Sequence, residues 1–104
     1  MRVIAISTLR EFWTKHADAE LPLREWYINT CWANWESLAD MRNYSNSVDY
    51  VGNQRYVFNI KGNKYRLVAA VKFKAKQVYI RFVGTHDEYD KIDSSIMRKE
   101  YGSD

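Results

Sequence analysis

The sequence predicts an α+β fold, with an N-terminal strand and a helix pair packed on one face of a twisted antiparallel sheet. Two observations carry this. From Leu9 to Met41 the apolar residues recur at helical spacing. Beyond Ser47 the period changes, and apolar runs are punctuated by two Gly-Asn pairs, Gly52-Asn53 and Gly62-Asn63. Glycine adopts positive φ without penalty and asparagine more readily than most residues, so each pair reads as a hairpin turn.

In chain order, Val3 to Ile6 is a short apolar run that reads as a strand. Thr8-Leu9-Arg10-Glu11 has the Thr-x-x-Glu spacing of a capping box and places a helix start at Thr8. Leu9, Phe12, Trp13 and His16 then share one face. Pro22 suits the first turn of a second helix, where its missing N–H costs nothing. Leu23, Trp26, Tyr27, Thr30 and Cys31 form that helix's buried stripe, and Trp13, Trp26, Trp32 and Trp35 read as core. A short third helix spans about Trp35 to Met41, and Arg42 to Ser47 reads as loop. Four strands follow, near 48–51, 54–61, 64–74 and 77–84, the last two joined by a turn at Ala75-Lys76.

At 104 residues the chain is expected to be a single domain, 1–104, with 46% apolar and 15% aromatic residues to build its core. No apolar run approaches the ~20 residues of a membrane span. Only four apolar residues separate Arg2 from Ser7, too few for a secretory signal. With Cys31 the lone cysteine, no internal disulfide can form. These features predict a cytoplasmic protein. One cysteine and two histidines, His16 and His86, make no zinc-type cluster, so neither a metal nor a cofactor is expected.

Charge is unevenly placed. Tyr50 to His86 contains no acid and eight basic residues, while the remaining 67 residues hold all 13 acids and eight Lys or Arg. The net charge of +3 is therefore +8 on one segment and −5 on the rest. The hairpin register sorts that segment into two faces, because side chains alternate along a strand and paired residues share a side. With Gly62-Asn63 as the loop, Asn59 faces Arg66; with Ala75-Lys76 as the loop, Arg66 faces Thr85. One face is then Phe58, Ile60, Tyr65, Leu67, Ala69, Val71, Phe73, Val78, Ile80, Phe82 and Gly84, without a charge. The other carries Arg55, Asn59, Lys61, Lys64, Arg66, Lys72, Lys74 and Arg81 beside Val57, Val68, Ala70, Gln77, Tyr79, Val83 and Thr85. A merely solvated sheet face mixes signs, and this one does not, which points to an anionic partner such as a nucleic-acid backbone.

Asn59, Arg66 and Thr85 are expected side by side at one end of that face, with His86 and Tyr89 immediately after. Those residue types suit RNA cleavage. Histidine exchanges protons near neutral pH. Arg66 can grip two phosphate oxygens and stabilise charge growing on them. Tyr89 can stack on a base or relay a proton, although with an ordinary pKa of about 10 it is a poor base. Plainer roles stand beside these: His86 as a hydrogen-bonded strand cap, Tyr89 as packing under the sheet edge, Arg66 as the partner of Asp87 or Glu88 in a surface ion pair.

The blocks Tyr56-Val57-Phe58-Asn59-Ile60-Lys61-Gly62-Asn63-Lys64-Tyr65-Arg66-Leu67 and Val78-Tyr79-Ile80-Arg81-Phe82-Val83-Gly84-Thr85-His86-Asp87-Glu88-Tyr89-Asp90 resemble HigB-type toxins of bacterial toxin–antitoxin pairs, within the RelE-like superfamily of mRNA interferases. The resemblance implies a metal-independent endoribonuclease that cuts mRNA in the ribosomal A site by attack of the 2′-hydroxyl. It also implies a cognate helix-turn-helix antitoxin as partner. By position it places catalysis on Arg66, His86 and Tyr89, with Lys61 and Lys64 close by. The competing expectations are a non-catalytic RNA- or ribosome-binding module using the same basic face, and a plain partner-binding domain.

Overall fold

The computed structural model describes residues 1–44 and 48–93. A five-stranded sheet has the order β1-β5-β4-β3-β2, from Arg2–Ile4 (β1), Val48–Gly52 (β2), Arg55–Ile60 (β3), Tyr65–Lys72 (β4) and Gln77–Thr85 (β5). Helices Ile6–Lys15 (α1), Glu20–Trp32 (α2) and Leu38–Tyr44 (α3) lie between β1 and β2 in the chain, with a 3-10 turn at Ala17–Ala19. A fourth helix, His86–Asp93 (α4), follows β5 directly. The α+β class is as the sequence predicts. The sheet is not wholly antiparallel, because β1 runs parallel to β5, with Val3 opposite Val78.

The main core lies between α1, α2 and one sheet face. Leu9 and Trp13 from α1 and Leu23 and Trp26 from α2 pack with Phe58, Ile60, Tyr65, Leu67, Ala69, Val71 and Val78. Trp26 meets Phe58 edge-on and Trp35 stacks on it. Trp32 does not join them. It is 86% exposed, and Cys31 is exposed as well. The buried line of α2 runs Leu23, Trp26, Thr30 at i, i+3, i+7, which turns positions 31 and 32 outward.

Helix α1 starts at Ile6, with Ala5 as N-cap and no side-chain cap; the Thr8 N–H is already bonded to the Ala5 carbonyl, 3.2 Å. Thr8 is thus inside the first turn. Arg42 to Tyr44, expected as loop, continue α3, and 45–47 lie outside the described residues.

The β3–β4 register is the expected one, with Asn59 opposite Arg66. The first hairpin loop sits one residue later than expected, at Asn53-Gln54, both at positive φ as a type I′ turn requires. The β4–β5 register differs more. The turn takes four residues, Phe73 to Lys76, so Lys72 faces Gln77. A slip of two leaves the faces unchanged. Between Val68 and Ala69 the pairing then shifts by one, with Arg81 as the extra residue, and a one-residue bulge exchanges faces. Beyond it Phe82 and Gly84 share the side of Val68 and Arg66, while Val83 packs on the main core. Arg66 therefore faces Gly84, and Thr85 faces Tyr65.

The face expected to be an open basic surface is consequently part-covered. Val57, Val68 and Tyr89 form a second, small core there, with Val51 and Phe82 against it.

Candidate functional site

Helix α4 places the site. Thr85 and Glu88 form a reciprocal capping box: the Glu88 N–H donates to Thr85 Oγ1 at 3.1 Å, and the Thr85 N–H donates to Glu88 Oε1 at 2.8 Å. This turns the chain sharply off β5 and folds α4 back over the sheet. The turn is tight enough to need glycine before it. A Cβ on Gly84 would lie 2.5 Å from Phe82 Cζ and 3.0 Å from Glu88 Oε1. Tyr89, one helical turn on, is driven into the small core by its apolar ring and is only 8% exposed.

Arg66 lies across that ring, its Cζ 5.1 Å from the Tyr89 centroid, within cation–π range. It forms no ion pair with Asp87 or Glu88. Its buried Nε has no hydrogen-bond partner among the described residues, and neither has the buried Oδ1 of Asn59, the residue opposite it on β3. A buried donor and a buried acceptor left unsatisfied on neighbouring strands are costly, a state that Trp26 Nε1 and Thr30 Oγ1 of the helix-side core share. His86 opens α4. Its N–H donates to the Lys64 carbonyl at 3.2 Å, and Nδ1 lies 3.1 Å from Asp90 Oδ2 on the next turn. This i, i+4 contact turns Nδ1 of the imidazole towards Asp90.

The other basic residues are distributed differently. Lys61 and Lys64 turn towards the helices, where Asp18 takes both ammonium groups, Lys61 Nζ at 3.0 Å, together with the Tyr65 hydroxyl, which donates at 2.5 Å. Hydrogen bonds from Lys64, Tyr65 and Lys61, in that order, hold the Asp18 carboxyl far below the usual carboxylate range. The same carboxylate raises the pKa of Lys64 and of Tyr65. Arg55 is buried, 2% exposed, and donates from Nη1 to the Asn53 carbonyl at 3.2 Å, so it is not on the accessible surface. Lys72 bonds Gln54 at the far end of β4, about 20 Å from Arg66 at ~3.3 Å per residue. Lys74 and Arg81 are exposed. Of the ten residues singled out from the sequence, Arg66, Tyr89 and Asn59 lie together, and His86 opens the helix that carries Tyr89.

Sequence reasoning missed Gly84, Glu88, Asp90 and Asp18. Thr85-x-x-Glu88 is a legible capping box and would have located α4, and with α4 the His86–Asp90 pair at i, i+4. Asp18 carries no such signal, lying 43 residues from Lys61. His86, Asp87 and Asp90 could also offer one metal-ligand atom each, all within 4.8 Å of one another, a grouping that a count of cysteines and histidines overlooks. Two of the three are exposed acids.

Comparison with known proteins bears on the same region. Residues 19–92, from the end of the 3-10 turn into α4, match the HigB toxin family, the RelE-like toxic component of a toxin–antitoxin system. The chain belongs to the HigB toxin family. Among HigB relatives, the mRNA interferase toxin HigB of Escherichia coli (strain K12) is 53% identical over 38 residues, a stretch that spans 36% of this chain and 36% of that relative's length. The mRNA interferase HigB of Escherichia coli O6:H1 is 26% identical over 94 residues, covering 88% of this chain and 91% of the relative. The HigB match takes in Asn59, Arg66, Gly84, His86 and Tyr89. Among the described residues, no helix of this HigB family member is long and apolar enough to cross a membrane.

Proposed function

We propose that this chain is the toxin of a toxin–antitoxin pair and acts in the cytoplasm as a metal-independent endoribonuclease on ribosome-bound mRNA. The observation that carries the reading is Arg66: a guanidinium with no ion-pair partner among the described residues, lodged between Asn59, Tyr89 and α4 in a segment matched by the toxin family. The names of the relatives, mRNA interferases, support the substrate class.

In this reading the 2′-hydroxyl of one nucleotide attacks the adjacent phosphorus while His86 Nε2 takes its proton. The P–O5′ bond breaks, giving a 2′,3′-cyclic phosphate and a 5′-hydroxyl, whose oxygen takes up a proton from solvent as it leaves. Arg66 stabilises the charge accumulating on the non-bridging oxygens, which peaks in the transition state and so lowers the barrier. Tyr89 sets the height of Arg66 above the sheet. Among the described residues around Arg66 no strong base stands beyond His86, and placement of the 2′-hydroxyl in line with the phosphate is worth about 7–11 kcal/mol in ideal intramolecular cases. A ribosomal A site holding the mRNA supplies that placement. A helix-turn-helix antitoxin is the expected regulatory partner.

The test is induced expression with mapping of mRNA 5′ ends, wild type beside Arg66→Ala. New 5′ ends in coding regions with wild type only, and slower cutting of naked mRNA than of translating mRNA by purified protein, are expected. Identical cuts with Arg66→Ala would overturn the reading. Ribosome binding without cuts in either would replace it with the non-catalytic RNA-binding module.

A further inference from the structure

A cleft of about 430 Å³ lies at the end of the sheet remote from Arg66, between β2, the start of β3 and the turn after β4. Its floor is aromatic. Tyr50 and Tyr56 rings lie 5.0 Å apart and Phe73 meets Tyr56 edge-on at 5.8 Å. Register puts Tyr50 and Tyr56 on the helix-facing side of the sheet, yet Tyr50 remains 52% exposed, so the helices leave this corner open. Lys72 and Lys74 stand on the rim with Gln54. Lys74 has no ion-pair partner among the described residues, and Lys72 donates to the neutral Gln54 side chain.

We propose that this cleft is a second RNA subsite, taking one unstacked nucleotide with its base on Tyr50 and its phosphate between Lys72 and Lys74. The argument is complementarity. An aromatic face left open to solvent offers a stacking platform that any base can use. Two ammonium groups beside it, inside a segment with no acid from Tyr50 to His86, fit the phosphate attached to such a base. An apolar protein side chain would use the floor but leave both lysines unanswered. The subsite lies about 20 Å from Arg66, at ~3.3 Å per residue along β4, with Tyr50 on the other side of the sheet and Lys72, by alternation, on Arg66's own side. It therefore grips a nucleotide distinct from the one being cut, either further along the same strand or in a second, structured RNA. The proposal rests on the RNA reading above, but not on cleavage.

The experiment uses the full chain carrying Arg66→Ala, so that RNA stays intact, with fluorescence anisotropy of a labelled single-stranded RNA of about 12 nucleotides and, separately, purified ribosomes. Adding Tyr50→Ala should weaken binding about fivefold or more, and Tyr50→Phe should restore it, since the π-face is kept. Adding Lys72→Ala with Lys74→Ala should flatten the slope of log affinity against log salt by about 0.7 for the one single-strand phosphate they share. In the unsubstituted chain, photocrosslinking to 5-iodouridine RNA should label Tyr50, a readout that needs no variant to fold. An effect confined to ribosomes assigns the nucleotide to structured RNA; an effect on the short RNA too assigns it to the substrate strand. Unchanged affinity for both probes, with no label on Tyr50, would overturn the subsite while leaving cleavage standing. Loss of binding in these variants of a protein that never cuts mRNA would keep the subsite and overturn the nuclease.

Discussion

Lys61 and Lys64 sit within five residues of Arg66 on the same hairpin, yet the protein treats them in opposite ways. The two lysines are answered by one carboxylate, Asp18, which Tyr65 also holds, and they tie the hairpin to the helices. Arg66 is laid over Tyr89 with its Nε unsatisfied, and Asn59 beside it is left short of a donor. A cation that is neutralised serves the fold. One that is positioned rigidly and left incomplete is ready for a ligand. Charge alone does not separate the two; what each cation faces does.

The contrast makes graded predictions. Arg66→Ala should cost the most, a loss of about 10²–10³-fold in mRNA cleavage, the scale seen when a donor to transition-state charge is removed. Its thermal unfolding should change little, because the side chain anchors nothing but a ring contact. Gly84→Ala tests the shelf beneath Arg66. The new Cβ meets the Phe82 ring, so overpacking of about 1–3 kcal/mol is expected in denaturant unfolding, together with reduced cleavage as α4 is displaced. Thr85→Ala removes half of the capping box and should lower stability by about 0.5–2 kcal/mol, with faster amide exchange confined to α4.

Asp18→Asn should have the smallest effect on cleavage and a distinct pH signature. The Asp18 pKa is lowered in the folded chain, so its contribution to stability is present above the ordinary aspartate pKa of about 4 and fades as pH falls below it. The Tyr65 pKa is raised, so its contribution is present below the ordinary tyrosine value of about 10 and fades as pH rises past it. Melting temperature against pH should be higher for wild type than for Asp18→Asn between those limits, the two curves converging in acid. Curves that stay parallel down to pH 2 would remove Asp18 as the clamp.

How much of this was legible in the sequence depends on the range of the determining interaction. The β3–β4 register could be read because Gly62 and Asn63 dictate a turn and the strands flanking it alternate cleanly. The β4–β5 register could not. Phe73 to Lys76 carry no strong turn chemistry, and the bulge at Arg81 leaves no mark in a strand where apolar residues stand on both sides. The longer turn and the bulge together moved Thr85 away from Arg66 and put Gly84 there. Helix α4 is written in the reciprocal cap of Thr85 and Glu88. The burial of Arg55 and the Asp18 clamp are tertiary events between distant segments, and no local pattern announces them. The nearness of Asn59 to Arg66 was legible because both lie on strands flanking the Gly62-Asn63 turn.

The most direct test of the difference between the two groups of cations is a cleavage assay in a translating extract, comparing Arg66→Ala with the double variant Lys61→Ala/Lys64→Ala at matched folded concentration. The expected result is loss of cutting of about 10²-fold or more for Arg66→Ala, with the double lysine variant retaining most activity while melting at a lower temperature. Equal loss of cutting in both, with no drop in melting temperature for the lysine variant, would contradict it.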